Sequence, residues 1–444
     1  MGYVSRAVPA DLLNAVPPNL SPPAVKCGRE RRLVNVFLST LLAVPAFRAL
    51  ILQAVGLKGV GPAAEVFCDA RFRDDPGPAD IAAPNGLIRA RGARGATALI
   101  DIAIGAFSAD NHDEVKRIAE HLALARSRRI GRVITLSSTV PDQAFVAAVA
   151  KEVTADAGGV DRLRPLTWMD TVDIAFHLLE RKAIDSQVGV FLLEQYIHCL
   201  KEEVVRETQA RAERDQGALF FTSLGPDWNA FVQETAERGE IDPKDPRLAA
   251  IASNWLALVR SLSLYLTRGT PSDEDILRFP NVRARNLRTR RDVVLKRLRS
   301  SGQLLATFHK REEHASTIMC VDVRRQEVVF QLQLDGPSDK HGSEAIRDLA
   351  QAISENRTLG ATKIKIFWPT EKTPRAITCK QAINEPISIA PPQHGMLPDR
   401  FIVERTVPCD KILREPDSFV QLLGLELRGF RASTRHLLHR GLPA

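Results

Sequence analysis

The chain has 444 residues, of which 44% are apolar and 26% charged, with a formal net charge of +8. That length exceeds one ordinary core and predicts two or three domains, and the composition is that of a globular protein, excluding a disordered one. The positive balance points to a polyanionic partner.

The first residues, 1–24, carry Pro9, Pro17, Pro18, Pro22 and Pro23 and little that could pack, which predicts a flexible Pro-rich lead. No basic start followed by an apolar block occurs in the first twenty residues, so no secretory signal is expected. Leu33–Leu57 is the longest apolar stretch. Asn35, Pro45, Arg48 and Gln53 interrupt it, so it predicts a buried helix pair broken at Pro45 and no membrane span. Strands are expected at Ala63–Phe72, Gly86–Arg91 and Thr97–Ala106, then a helix at Asp113–Arg128 and a β-branched strand at Gly131–Ser137. Pro165–Thr270 reads as mostly helical and holds Trp168, Trp228 and Trp255, whose helical spacing makes them core residues. Beyond it, Ser316–Val323 and Glu327–Leu334 read as paired strands, Ser343–Ile353 as a helix, Thr362–Trp368 as a strand and Asp417–Leu438 as a terminal helix. The predicted organisation is therefore the lead at 1–24, an αβββαβ core at 25–160, a helical domain at 161–301 that ends in a basic helix, and a C-terminal α/β domain at 302–444.

Chemistry concentrates around Asp101, the only charged residue in Ala96–Ala109. An unpaired buried carboxylate is costly, so an acid in an apolar strand calls for a partner or a task. Period two puts Asp101 and Ala103 on the same face of their strand. Glu65 lies in the first strand, and Asn85 stands in Pro84-Asn85-Gly86-Leu87-Ile88 between the two. Asn85-Gly86 is also a favoured two-residue hairpin turn. This series of segments resembles the PD-(D/E)XK nuclease superfamily. More narrowly, it resembles a bacterial set in which a Pro-Asp-Gly-Leu-Ile-like segment precedes a Glu-x-Lys strand and a helical region follows, here Leu166-Thr167-Trp168 and Asp185–Tyr196. The resemblance implies a restriction-endonuclease-like αβββαβ core.

It also implies a damaged site. In an intact member, carboxylates hold Mg2+ against the scissile phosphate, the metal activates water, and a lysine adds positive charge where charge develops. Carried over, Glu65 and Asp101 are the surviving metal ligands, Asn85 replaces an acid, and Ala103 replaces the lysine. Arg117 falls where the family has a glutamine, and Ser137-Ser138 falls on a Thr-Ile-Ser-Asn-like segment. Losing such a charge-stabilising group costs about 10²–10⁴ in rate. The expectation is a degenerate nuclease-like protein with no cofactor, binding nucleic acid or a partner protein in a bacterial stress or defence setting. The alternatives are a Mg2+-dependent DNA endonuclease using a migrated basic residue, Lys116, and a scaffold that keeps only the fold.

Two basic clusters fit a phosphate backbone. Arg126, Arg128, Arg129 and Arg132 end the helix after Asp101, and Asn281–Arg299 holds eight basic residues, Arg288, Arg290 and Arg291 among them, against Asp292. A solvated helix face explains the second cluster equally well. DNA is expected over RNA because the resemblance points there. The six cysteines contain no CxxC pair, which argues against zinc and for a reducing cytoplasm.

Overall fold

A computed structural model describes residues 12–16, 29–57, 64–72, 84–89, 97–153, 159–212, 224–225, 227–266, 287–309, 315–335, 342–354, 362–385, 389–393 and 396–408, with 413, 423, 426 and 430. The protein is mixed α/β with two six-stranded sheets. It divides into two compact units: Met1–Asp227 with Ala249–Ser261 and Ala284–Arg291, and Trp228–Leu248 with Leu262–Arg283 and Asp292–Ala444. The predicted helical domain at 161–301 is thus shared between the units. Among the described residues, no single helix is long and apolar enough to cross a membrane.

The first unit opens with β1 (Leu12–Val16), α1 (Arg29–Ala43) and α2 (Pro45–Ala54). β1 lies inside the predicted flexible lead, because an edge strand needs only backbone partners, here those of β2 (Glu65–Phe72). The rest of that lead is outside the described residues. Pro45 ends α1 and starts α2, since a proline lacks the N–H that an interior turn needs but that a first turn does not. The two helices bend by 107°. Arg48 closes the bend by donating to the carbonyls of Leu41 (2.7 Å) and Leu42 (3.1 Å), which helix geometry leaves without N–H partners.

β2, β3 (Gly86–Arg89) and β4 (Thr97–Ile102) form an antiparallel meander. Next come α3 (His112–Ser127), β5 (Arg132–Ser137), α4 (Gln143–Glu152) and β6 (Leu163–Thr167), with β5 and β6 parallel to β4. α3 starts at Asn111, whose side chain accepts from the Glu114 N–H, and it carries Asp113 and Glu114 in its first turn and Arg126 in its last, each sign matched to the helix dipole.

The two faces of this sheet differ. On one, Leu99, Ala103 and Val133 meet Ile118 and Leu122 of α3 and Phe145 of α4. On the other, Gly86 lies against α1: a Cβ there would fall 2.9 Å from Leu38 Cδ2. Gly86 is therefore a strand residue paired with Cys68 and Ile100, and Asn85-Gly86 is not a hairpin turn. The unit continues with α5 (Trp168–Glu180) and α6 (Gln187–Ala212). Phe37, Phe47, Trp168 and Tyr196 form one aromatic cluster with ring centroids 5.6–6.3 Å apart.

Further helices are α7 (Asp227–Arg238), α8 (Leu248–Leu266) and α9 (Leu287–Ser301). The second unit's sheet comprises β7 (Gln303–His309), β8 (Ala315–Asp322), β9 (Glu327–Asp335), β10 (Lys363–Phe367), β11 (Arg375–Thr378) and β12 (Arg400–Pro408). Every pairing in it is antiparallel, in the order β11-β10-β12-β9-β8-β7. α10 (Gly342–Ser354) and α11 (Cys379–Asn384) join its strands. The Trp228 indole donates to the Leu413 carbonyl at 3.0 Å, and Phe330 stacks on Phe430. Of the predicted terminal helix at 417–438, only Leu423, Glu426 and Phe430 are described, each helical.

Candidate functional site

Asp101 lies near the carboxyl end of β4 with its side chain 1% exposed. It faces α3, and two side chains one helical turn apart converge on it. Arg117 approaches side-on, Nε 3.2 Å from Oδ2 and Nη2 3.0 Å from Oδ1. His121, fully buried, sets Nδ1 2.8 Å from Oδ2. A guanidinium fork over both oxygens is a strong way to neutralise a carboxylate. Thr135 is the β5 residue opposite Asp101, and its buried hydroxyl has no hydrogen-bond partner among the described residues.

The helix period explains which cation arrives. Val115, Ile118, Ala119 and Leu122 form the buried stripe of α3, and Arg117 and His121 flank it at i and i+4. Lys116, about 100° round the helix from Arg117, points away. It is 63% exposed, with Nζ 4.0 Å from Glu120. The cation at Asp101 is Arg117, and Lys116 takes no part. His112 is exposed at the helix start.

Ala103 is locked into the frame. Its N–H donates to the Leu136 carbonyl (2.9 Å), its carbonyl accepts from the Trp168 indole (3.0 Å), and its methyl sits in the apolar cluster under α3. Asn85 extends the sheet: its Oδ1 accepts from the Ile102 N–H at 2.7 Å, one step past the last β3–β4 pair. Ser137 donates to the Thr139 carbonyl (2.6 Å), so that hydroxyl serves the backbone.

Glu65 does not join Asp101. The ladder sets Glu65 beside Arg89 and Arg89 beside Thr97, four residues before Asp101 and two strands away. At about 3.3 Å per residue and 4.8 Å per strand, the two acids stand roughly 16 Å apart. Mg2+ needs oxygens at about 2.1 Å, so one ion cannot take both. Among the described residues, no group of three or more His, Cys, Asp or Glu side chains could hold a metal ion.

The basic clusters are only partly described. Arg126 and Arg129 are exposed at the end of α3, with Arg129 in the left-handed region (φ 56°). Arg128 is half-buried and not free. Arg291 is half-buried on α9, where Lys296, Arg297 and Arg299 are exposed. The side chains of Arg288 and Arg290 lie outside the description. His121 is the residue at Asp101 that the sequence reading does not single out. Its signal was a lone polar residue at an inward position of α3.

Comparison with known protein families, with curated proteins and with solved structures finds no match for this chain.

Proposed function

We propose that this protein is a catalytically degenerate relative of the restriction-endonuclease-like nucleases and binds nucleic acid, DNA in the first instance, without efficient cutting. The order α, three antiparallel strands, helix, parallel strand supports that ancestry. One observation carries the loss of cutting: the Asp101 carboxylate is buried and its two oxygens are engaged by the Arg117 guanidinium and the His121 ring, so they are not free to hold a metal ion against a phosphate. Exposed Arg126 and Arg129 at the end of α3 and the exposed cations of α9 supply sequence-independent attraction for a phosphate backbone.

Purified protein incubated with plasmid and Mg2+ or Mn2+ is expected to leave it uncut. Cutting that Asp101→Ala abolishes refutes the proposal and establishes an endonuclease. That second reading has one point in its favour, a cation beside Asp101, supplied by Arg117. In parallel, duplex affinity is expected to fall steeply with salt, and to weaken in Arg126→Glu with Arg129→Glu. A salt-insensitive or absent affinity moves the function to protein contacts.

A further inference from the structure

At the amino ends of β5 and β6, two guanidinium groups share one face of the sheet. The parallel register sets Ile134 beside Arg164, so Arg132 and Arg164 project to the same side, one strand apart and two residues along. Their Cα atoms are therefore about 8 Å apart, well within reach of two arginine side chains meeting on one anion.

Among the described residues, the side-chain hydrogen bonds of both arginines stay within their own strand ends. Arg132 Nη1 donates to the carbonyl of Gly131 (2.8 Å) and Arg164 Nη1 to that of Leu163 (2.7 Å), in each case only the preceding residue. A guanidinium carries five N–H donors, so most of this pair's donors meet no acceptor among the described residues. Arg132 Nε is buried with no acceptor among the described residues. Arg162 nearby shows the contrast of a structural arginine, with Nη1 donating to the Ala125 and Ile130 carbonyls at the end of α3.

Electrostatics point the same way. Burial lowers the pKa of Arg164, repulsion from Arg132 lowers it further, and Asp161 opposes both. Asp161 is exposed, so the acid that acts on Arg164 is solvated. The α2 carboxyl end borders Arg132 as well: a Cβ on Gly56 would lie 3.9 Å from Arg132 Nη2. Its carbonyls supply part of a counter-charge and leave room for a full one.

We propose that Arg132 and Arg164 form a binding site for a phosphoryl oxyanion, carried either by a nucleic-acid backbone or by a small phosphorylated ligand. Planar guanidinium forks match such oxygens bidentately. The site does not overlap that of Asp101. Thr135, the ladder neighbour of Asp101, is three residues beyond Arg132 and faces the opposite side of the sheet. An anion held here therefore places no phosphate over Asp101. The inference stands without the nucleic-acid reading.

Titration calorimetry with inorganic pyrophosphate and with a 12-base-pair duplex tests it on the full chain, comparing wild type, R132Q/R164Q and R132K/R164K. Pyrophosphate is expected to bind the wild type and to lose tenfold or more in the glutamine pair, with the lysine pair intermediate. If the backbone of DNA is the source, the slope of log K against log salt falls by about 1.8 in magnitude, at ~0.9 per lost phosphate contact. Pyrophosphate loss with an unchanged DNA slope, or with no DNA binding at all, supports the site and assigns it to a small ligand. Binding of both probes unaffected by the glutamine pair overturns the site and leaves the nucleic-acid proposal intact. A folded wild type that binds neither probe overturns both. Should the pair fail to fold by circular dichroism, R164Q alone carries the test, with an expected slope change of about 0.9 or a measurable loss of pyrophosphate. No change in either refutes the site.

Discussion

Asp101→Ala tests how far the buried carboxylate holds the first unit together. It leaves His121 fully buried and Arg117 half-buried without the charge they both face. Removing one member of a buried, hydrogen-bonded ion pair costs about 3–5 kcal/mol. Arg117 is 31% exposed and can turn its head to water, so the cost falls to the bottom of that range or just below it. About 2–3 kcal/mol corresponds to a roughly 30- to 150-fold rise in the opening equilibrium. Because two compact units need not unfold together, a single melting curve is a poor measure. Native-state hydrogen exchange of the β4, β5 and α3 amides reads the first unit directly. Arg117→Ala alone is expected to cost about 1 kcal/mol, and the double variant less than the sum, because the two side chains share one interaction. If Asp101→Ala opens these amides no faster than the exposed-site control Lys116→Ala, the carboxylate does not tie α3 to the sheet and the argument fails.

Gly86→Ala is expected to destabilise the same unit by about 1–3 kcal/mol, since the new methyl meets Leu38 Cδ2 at 2.9 Å; an unchanged exchange rate in β3 shows that α1 yields freely. Burial pushes the Cys320 thiol up to about 11, so at pH 8 it is expected to react with iodoacetamide on the order of a hundredfold slower than in the unfolded chain, catching up as the pH rises toward 11; equal labelling by mass spectrometry at pH 8 refutes this. At Asp245, burial raises the pKa, but the side-chain and backbone hydrogen bonds of Arg247 outweigh it, and the Arg247 hydrogen bond likewise holds Glu234 low. With folded values depressed, these acids favour the folded state above the ordinary carboxylate range and lose that contribution as pH falls through it. Arg247→Ala is therefore expected to flatten the acid side of the second unit's stability profile, and an unaltered profile refutes it.

Much of the first unit was legible because its signals are local. The apolar run around Asp101, the β-branched segment before Ser137 and the 3.6-residue period of α3 each announce themselves within a dozen residues. β6 was not legible: Leu163–Thr167 is five residues long and contains Pro165, which an edge strand tolerates and a central one does not. β7 was hidden behind the basic run of α9, and its inward positions include the small Ala306. At the site, Asp101 stood out as a lone charge in an apolar strand. Its partners did not, because the side of α3 that turns inward is fixed by packing, and a rotation of one residue exchanges Arg117 for Lys116. The separation of Glu65 from Asp101 was equally hidden, since the register of β2, β3 and β4 is set across intervening loops and a shift of a few residues moves the acids by more than a metal's diameter.

α3 gathers the consequences into one element. Its inward side sets Arg117 and His121 against Asp101, while its carboxyl end leaves Arg126 in solvent, about 14 Å beyond Arg117 at 1.5 Å per residue. Arg117, the cation at the acid, therefore cannot also serve a phosphate, and Arg126 is too far along the helix to bring a phosphate to that acid. Introducing a lysine at Ala103 would not change that geometry. Its ammonium would enter the apolar cluster under α3 and compete with Arg117 for the same two oxygens, so it would add charge without adding a second metal ligand.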